Sequence, residues 1–254
     1  MEELRVLFVI ENSTLKIEKL SKTYGRKQVV KGISFEMDNH QVTGLLGPNG
    51  AGKTTTFYMI VGFIKSNGGK IILNGENITP LPMYKRSRMG LSYLPQESSI
   101  FRKLTVEDNI KLVIQTRSDL NKEEKKELLE SLLDDFGIDR VRKQFGYTLS
   151  GGERRRTEIA RALASAPRFL LLDEPFAGID PKAVYEIKQI IRKLSSRGIG
   201  ILLTDHNVRD TLEITTCAYI IHEGTILVSG TRDELINNET AREIYFGKDF
   251  MRES

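Results

Sequence analysis

The sequence predicts an α/β fold whose sheet is at least partly parallel. Short apolar, β-branched-rich runs recur along the chain, several are continuous rather than alternating, and helical patterns separate them. Continuous apolar strands are buried on both faces, and interleaved helices are what cover them. The runs fall at residues 14–17, 42–46, 70–73, 91–94, 169–172, 199–204 and 219–221. Between about 97 and 166 charged helical stretches replace them, so a helical insertion is expected there.

The 254 residues allow one large or two small domains at about 150 residues each. Hydrophobic residues at 39% and charged residues at 28% exclude disordered and collagen-like classes. A net charge of +4 is too small to imply nucleic acid, and no direct nucleic-acid binding is expected. Cys217 is the only cysteine, so neither an intramolecular disulfide nor a cysteine-rich metal site is available. No apolar run reaches the roughly 18 residues of a membrane span. Glu2 and Glu3 ahead of a short apolar stretch do not read as a secretory signal. A cytoplasmic location is expected.

Helix starts are written locally. Asn121 with Glu124 and Thr231 with Glu234 have capping-box spacing, and Leu128, Leu129, Leu132 and Leu133 then follow on one helical face. The charged run 122–126 reads as the solvated side of that helix.

Chemistry concentrates in three places. Gly47-Pro48-Asn49-Gly50-Ala51-Gly52-Lys53-Thr54-Thr55 follows an apolar strand and precedes a helix, the context in which a glycine-rich loop cradles phosphates. Backbone N–H groups and the helix N-terminus face the anion. Lys53 would neutralise β and γ phosphates, and Thr54 would offer its hydroxyl to Mg2+. Second, strand 169–172 runs into Asp173-Glu174-Pro175, placing two acids at the carboxyl end of a strand, where open α/β sheets hold ligands. Adjacent strand residues face opposite ways. Asp173 is therefore assigned to the Mg2+ shell and Glu174 to polarising the attacking water. Third, Leu149-Ser150-Gly151-Gly152-Glu153 opens a helix. Ser150 and Glu153 suit a cap, but two glycines in a first turn cost about 1 kcal/mol each relative to alanine, which a cap alone does not require. Bare N–H groups there suit a phosphate. Arg154, Arg155 and Arg156, next in line, read as a solvated or partner-facing patch.

In chain order, the phosphate loop, the Leu149–Glu153 signature and the Leu172–Pro175 acidic strand end resemble those of ABC-transporter nucleotide-binding subunits over essentially the whole chain after Thr14. The resemblance implies a P-loop NTPase fold: a RecA-like core of ABC ATPase type, an antiparallel β subdomain and a helical signature subdomain. It implies a division into an N-terminal extension (1–13), the ATP-binding core with its antiparallel β subdomain (14–96 and 167–246), the helical subdomain with the signature (97–166) and a C-terminal tail (247–254). ATP and Mg2+ are the implied cofactors. Tyr24 would stack on adenine. Gln96 would sense Mg2+ and γ-phosphate and hinge the helical subdomain. His206 would contact the γ-phosphate, and Asp180 belongs to the loop that crosses the dimer interface. Lys53, Glu174 and His206 form the catalytic set; Asp173 would reach the metal through water.

One phosphate loop and one signature per chain then imply a head-to-tail homodimer. Ser150, Gly151, Gly152 and Glu153 of one subunit would face the nucleotide of the other. Departures from the broad pattern are Glu153 at a position usually held by glutamine and Gly178-Ile179 where Ala-Leu is usual. These features, with Phe176, Thr204-Asp205-His206-Asn207-Val208, Tyr93-Leu94-Pro95-Gln96-Glu97, Ile100-Phe101-Arg102 and Tyr245-Phe246-Gly247-Lys248-Asp249-Phe250, are similar to the lipopolysaccharide-export branch. The resemblance implies two transmembrane permease subunits of that type, contacted through a groove walled by Phe101 and Arg102, on the cytoplasmic face of the inner membrane. Membrane contact would then run through the partners. A branched-chain amino-acid importer is the alternative, typically with glutamine at the Glu153 position. An ABC ATPase of DNA repair or translation is a distant one, lacking here its coiled-coil insertion or second cassette.

Overall fold

A computed structural model describes residues 12–246. Outside it lie most of the expected N-terminal extension and the tail 247–254, with the end of the Tyr245–Phe250 motif. In chain order the elements are β1 (Thr14–Tyr24), β2 (Lys27–Asp38), β3 (Val42–Leu46), α1 (Lys53–Val61), β4 (Gly68–Leu73), β5 (Glu76–Asn77), α2 (Met83–Arg88), β6 (Leu91–Leu94), α3 (Val106–Ile114), α4 (Lys122–Asp135), α5 (Gly151–Leu163), β7 (Phe169–Asp173), α6 (Pro181–Ser196), β8 (Gly200–Thr204), α7 (Val208–Ile214), β9 (Cys217–His222), β10 (Thr225–Gly230) and α8 (Arg232–Asn237).

Two sheets form. A six-stranded sheet runs β10-β9-β3-β8-β7-β6, parallel apart from the antiparallel β9–β10 edge; a four-stranded antiparallel sheet runs β2-β1-β4-β5. Every strand run read from the sequence is present. β2, β5 and β10 are additional. In β2 buried Val30, Ile33, Phe35 and Met37 are separated by exposed residues, Lys31, Ser34 and Glu36 among them, the signature of a sheet with one wet face.

Strand β7 shows why continuous apolar runs predict coverage on both sides. Leu170 and Leu172 pack into a core with Ile187 and Ile191 of α6, whereas Phe169 and Leu171 join the core beneath α1 and the antiparallel sheet. The first core continues without a break into Ile110, Leu128, Leu132 and Ile159 of α3, α4 and α5. The helices between β6 and β7 thus share apolar packing with the main sheet. Ser13 is buried, and its N–H donates to Asn39 Oδ1 at 2.8 Å.

The capping boxes at Asn121, Ser150 and Thr231 all form, each with reciprocal bonds to the glutamate three residues on. One expectation is overturned. Arg154–Arg156 are not a solvated patch: Arg155 is 6% exposed and Arg156 is paired with Glu186. Helical rotation turns Arg155 inward, where carbonyls from distant segments receive it. Its Nη1 donates to the Pro95 carbonyl at 3.0 Å and its Nη2 to that of Asp173 at 3.3 Å.

Candidate active site

The loop between β3 and α1 can adopt its curl only because of its glycines. Gly47 has φ +152°, and a Cβ there would lie 2.1 Å from the Ile221 carbonyl oxygen of neighbouring β9; Gly52 has φ +108° with the Val29 carbonyl of β2 at 2.9 Å from its ideal Cβ. Lys53 opens α1, 7% exposed. Its ammonium donates to the carbonyls of Gly47 at 2.6 Å and Pro48 at 3.1 Å. Burial pulls its pKa down, opposed by the charges of Glu174 and Asp173. Pro48, Asn49, Gly50 and Thr54 are exposed at the rim, Thr55 is half-buried, and Ala51 is buried.

Across the sheet, β7 delivers Asp173, 2% exposed. Tyr93 Oη of adjacent β6 donates to Asp173 Oδ2 at 3.2 Å, while Oδ1 is buried with no hydrogen-bond partner. Burial pushes the Asp173 pKa up, and the Tyr93 hydrogen bond works against that shift. An orphaned carboxylate oxygen within reach of the buried Lys53 charge suits a divalent cation held largely by nucleotide phosphates. Among the described residues no cluster of three His, Cys, Asp or Glu side chains could hold a metal alone.

Glu174 leaves the strand in the left-handed region, φ +47°, a conformation that costs a non-glycine residue about 1–3 kcal/mol. Its N–H is held by the Thr204 carbonyl at 2.8 Å. The kink sends the carboxylate between two partners from separate loops. Gln96 Nε2 donates to Oε2 at 2.5 Å, and His206 Nε2 lies 2.7 Å from Oε1. Gln96, Glu174 and His206, far apart in the sequence, therefore meet at one carboxylate beside Asp173 and Lys53.

The supporting roles of several residues escaped the sequence reading. Asp205 is 4% exposed, and its two oxygens accept the N–H groups of Phe176 and Asn207, both at 2.9 Å. It thereby ties the loop after Glu174 to the loop carrying His206. Burial raises its pKa despite these bonds. Tyr93 and Arg155 likewise brace Asp173. The signal for Asp205 was its place directly after an apolar strand, the same signal used for Asp173.

The remaining candidates lie elsewhere, most of them on the surface. The exposed Tyr24 ring ends β1, with the Lys22 ammonium 5.1 Å from its centroid. Ser150 and Gly151 are exposed at the head of α5, and a Cβ on Gly151 would find Ile179 Cγ2 at an ordinary 3.4 Å. Gly152 is buried, its ideal Cβ 3.0 Å from the Ala183 Cβ, so close packing against α6 accounts for one of the two glycines. Glu153 folds back on Ser150, with Arg140 at 3.2 Å. Asp180 caps α6, accepting the Ala183 N–H at 3.0 Å. Phe101 is 53% exposed, with the Arg161 guanidinium 5.2 Å from its ring centroid, and Arg102 beside it is exposed.

A phosphate loop after β3, two acids at the end of β7, which β8 separates from β3 in the same sheet, and a capped Ser-Gly-Gly helix start define an ATP-binding cassette. The chain belongs to the ABC transporter family, whose model matches residues 30–177. It is 50% identical, over 94% of its length and 99% of the relative's, to the lipopolysaccharide export system ATP-binding protein LptB of Haemophilus influenzae. It is 48% identical, over 94% and 99%, to the protein of that name from Escherichia coli K12. The fold matches a nucleotide-free ATP-binding cassette from an ABC transporter with a TM-score of 0.82 at 24% identity, covering 93% of this chain and 100% of that one.

Proposed function

We propose that this protein is the ATP-hydrolysing subunit of a lipopolysaccharide-export ABC transporter, working as a homodimer beneath two transmembrane permease subunits. The observation that carries the chemistry is the Glu174 carboxylate gathered between Gln96 and His206. The likeness to LptB proteins, which runs through nearly the whole chain, supports the transported cargo.

Each residue has a task in this reading. The phosphate loop and Lys53 bind the β and γ phosphates; Tyr24 stacks on the base. Thr54 and Asp173, with Gln96 near the γ-phosphate, would hold Mg2+, which neutralises phosphate charge. Glu174 orients a water and takes its proton as that oxygen bonds to the γ-phosphorus and the bond to the ADP oxygen breaks. His206 stabilises the γ-phosphate. Ser150 and Gly151 close the site from the partner subunit, so ATP binding joins two copies and product formation releases them. The permease subunits dock near Phe101 and Arg102, which places the dimer at the inner face of the membrane; among the described residues no helix is long and apolar enough to span one.

Glu174→Gln tests the chemistry. The variant should bind ATP and elute as a dimer with MgATP, while turnover falls by about 10²–10⁴-fold. Near-normal hydrolysis by a folded variant overturns the assignment of Glu174. Purification from the native membrane tests the transport role: co-purifying amino-acid permeases in place of lipopolysaccharide-bound subunits would overturn it.

A further inference from the structure

Helix α5 starts at the Ser150 cap and carries Arg155, Glu158 and Arg161 at three-residue steps, hence along one ridge. Glu158 is 2% exposed, and its position would ordinarily suit an apolar residue. Its Oε1 accepts the Ser99 N–H at 2.7 Å, the Ile100 N–H at 3.1 Å and the Ser98 hydroxyl at 2.9 Å. Its Oε2 receives Arg155 Nη1 at 3.4 Å. Arg161 adds bonds to the Ser99 carbonyl at 2.8 Å and the Ser99 hydroxyl at 2.6 Å. These segments are about sixty positions apart in the chain.

The loop so gripped joins two points of interest. Gln96 at its start touches Glu174, and Phe101 at its end faces solvent. Residues 98–100 lie outside every helix and strand, so their N–H groups need partners from elsewhere. A buried carboxylate is costly unless it is fully bonded. Charge-assisted bonds to consecutive N–H groups both meet that cost and fix the loop's height on the helix.

We propose that Glu158 is a positioning residue that locks the 96–101 loop onto helix α5, so that movement of the Ser150–Gly152 turn shifts Gln96 against Glu174. The inference rests on the proposed role of Gln96. Amide hydrogen exchange and steady-state hydrolysis of MgATP by the full chain test it. In Glu158→Ala, exchange at Ser99 and Ile100 should quicken by at least about tenfold. Its kcat should fall on the order of tenfold with KM for ATP within about twofold, and Glu158→Gln, which keeps an accepting oxygen, should restore most of the loss. In a Gln96→Ala background the Glu158→Ala loss should largely vanish, because both act through one contact. Unchanged exchange at Ser99 and Ile100, or a kcat loss adding in full to that of Gln96→Ala, overturns the proposal. A Gln96→Ala enzyme with wild-type kcat instead sinks the role of Gln96, while the exchange data still judge the grip of Glu158. If Glu158→Ala does not fold, Ser98→Ala removes a single donor and carries the same comparison, with an expected loss of about twofold.

Discussion

Gly47 and Glu174 each occupy backbone conformations that their neighbours enforce, and the two respond differently to substitution. At Gly47 a methyl group would meet the Ile221 carbonyl oxygen at 2.1 Å, a clash with backbone that no side-chain rotation relieves. Gly47→Ala should cost at least about 2 kcal/mol, lowering Tm by roughly 4–8 °C in a domain of this size, and nucleotide binding should weaken with it. Calorimetry with and without ATP checks both, and an unchanged Tm would refute the steric account. The glycine was legible as part of a phosphate loop, because that motif is local. The left-handed turn at Glu174 was not, since the Thr204 carbonyl that holds it comes from β8.

At the level of elements, α3 shows how charge secures a helix to its surroundings. Glu107 is buried in the first turn of α3 and meets Lys111, Lys143 and Arg142. The Lys111 and Lys143 bonds, with that of Arg142, pull its carboxyl from 4.5 to about 2. A depressed folded-state value means that stability is gained above the unfolded pKa and lost as pH falls through the folded one. The stability difference between the wild type and Glu107→Gln should therefore be full at neutral pH and close as pH drops from 4.5 toward about 2. Urea unfolding across that range measures it, and a gap independent of pH would exclude Glu107. Phe101, on the loop that precedes α3, tests the proposed partner groove. Its ring is exposed against Arg161, so Phe101→Ala should leave the fold and the Tm of the isolated subunit within about 2 °C yet impair permease binding or transport. Intact complex formation and transport would remove it from the groove. The starts of α4 and α5 were readable from their capping boxes. The inward face of α5 was not, because three arginines in a row look solvated until the carbonyls of Pro95 and Asp173 are brought to them.

For the molecule as a whole, the decisive question is what the Ser150–Gly152 turn faces. Within the chain, Gly151 packs only loosely, with Ile179 3.4 Å from an ideal Cβ, so Gly151→Asp should fold normally. If the turn closes on the γ-phosphate of a second copy, the added carboxylate repels it and the ATP-induced dimer should be lost, even in the Glu174→Gln background. Light scattering with MgATP reads the outcome, and a persisting dimer would break the head-to-tail arrangement. The sequence by itself determined the α/β class, the strands that carry the phosphate loop and the paired acids, and the capped helix starts. Each of these is written in residues within a few positions of one another, and local backbone preference and apolar periodicity suffice to express them. Only the tertiary structure decided that Gln96 and His206 share the Glu174 carboxylate, that Asp205 joins two loops, and that Arg155 and Glu158 point inward. Those contacts depend on which strands lie side by side in the sheet and how far each helix is rotated. Both are set by packing summed over the whole core.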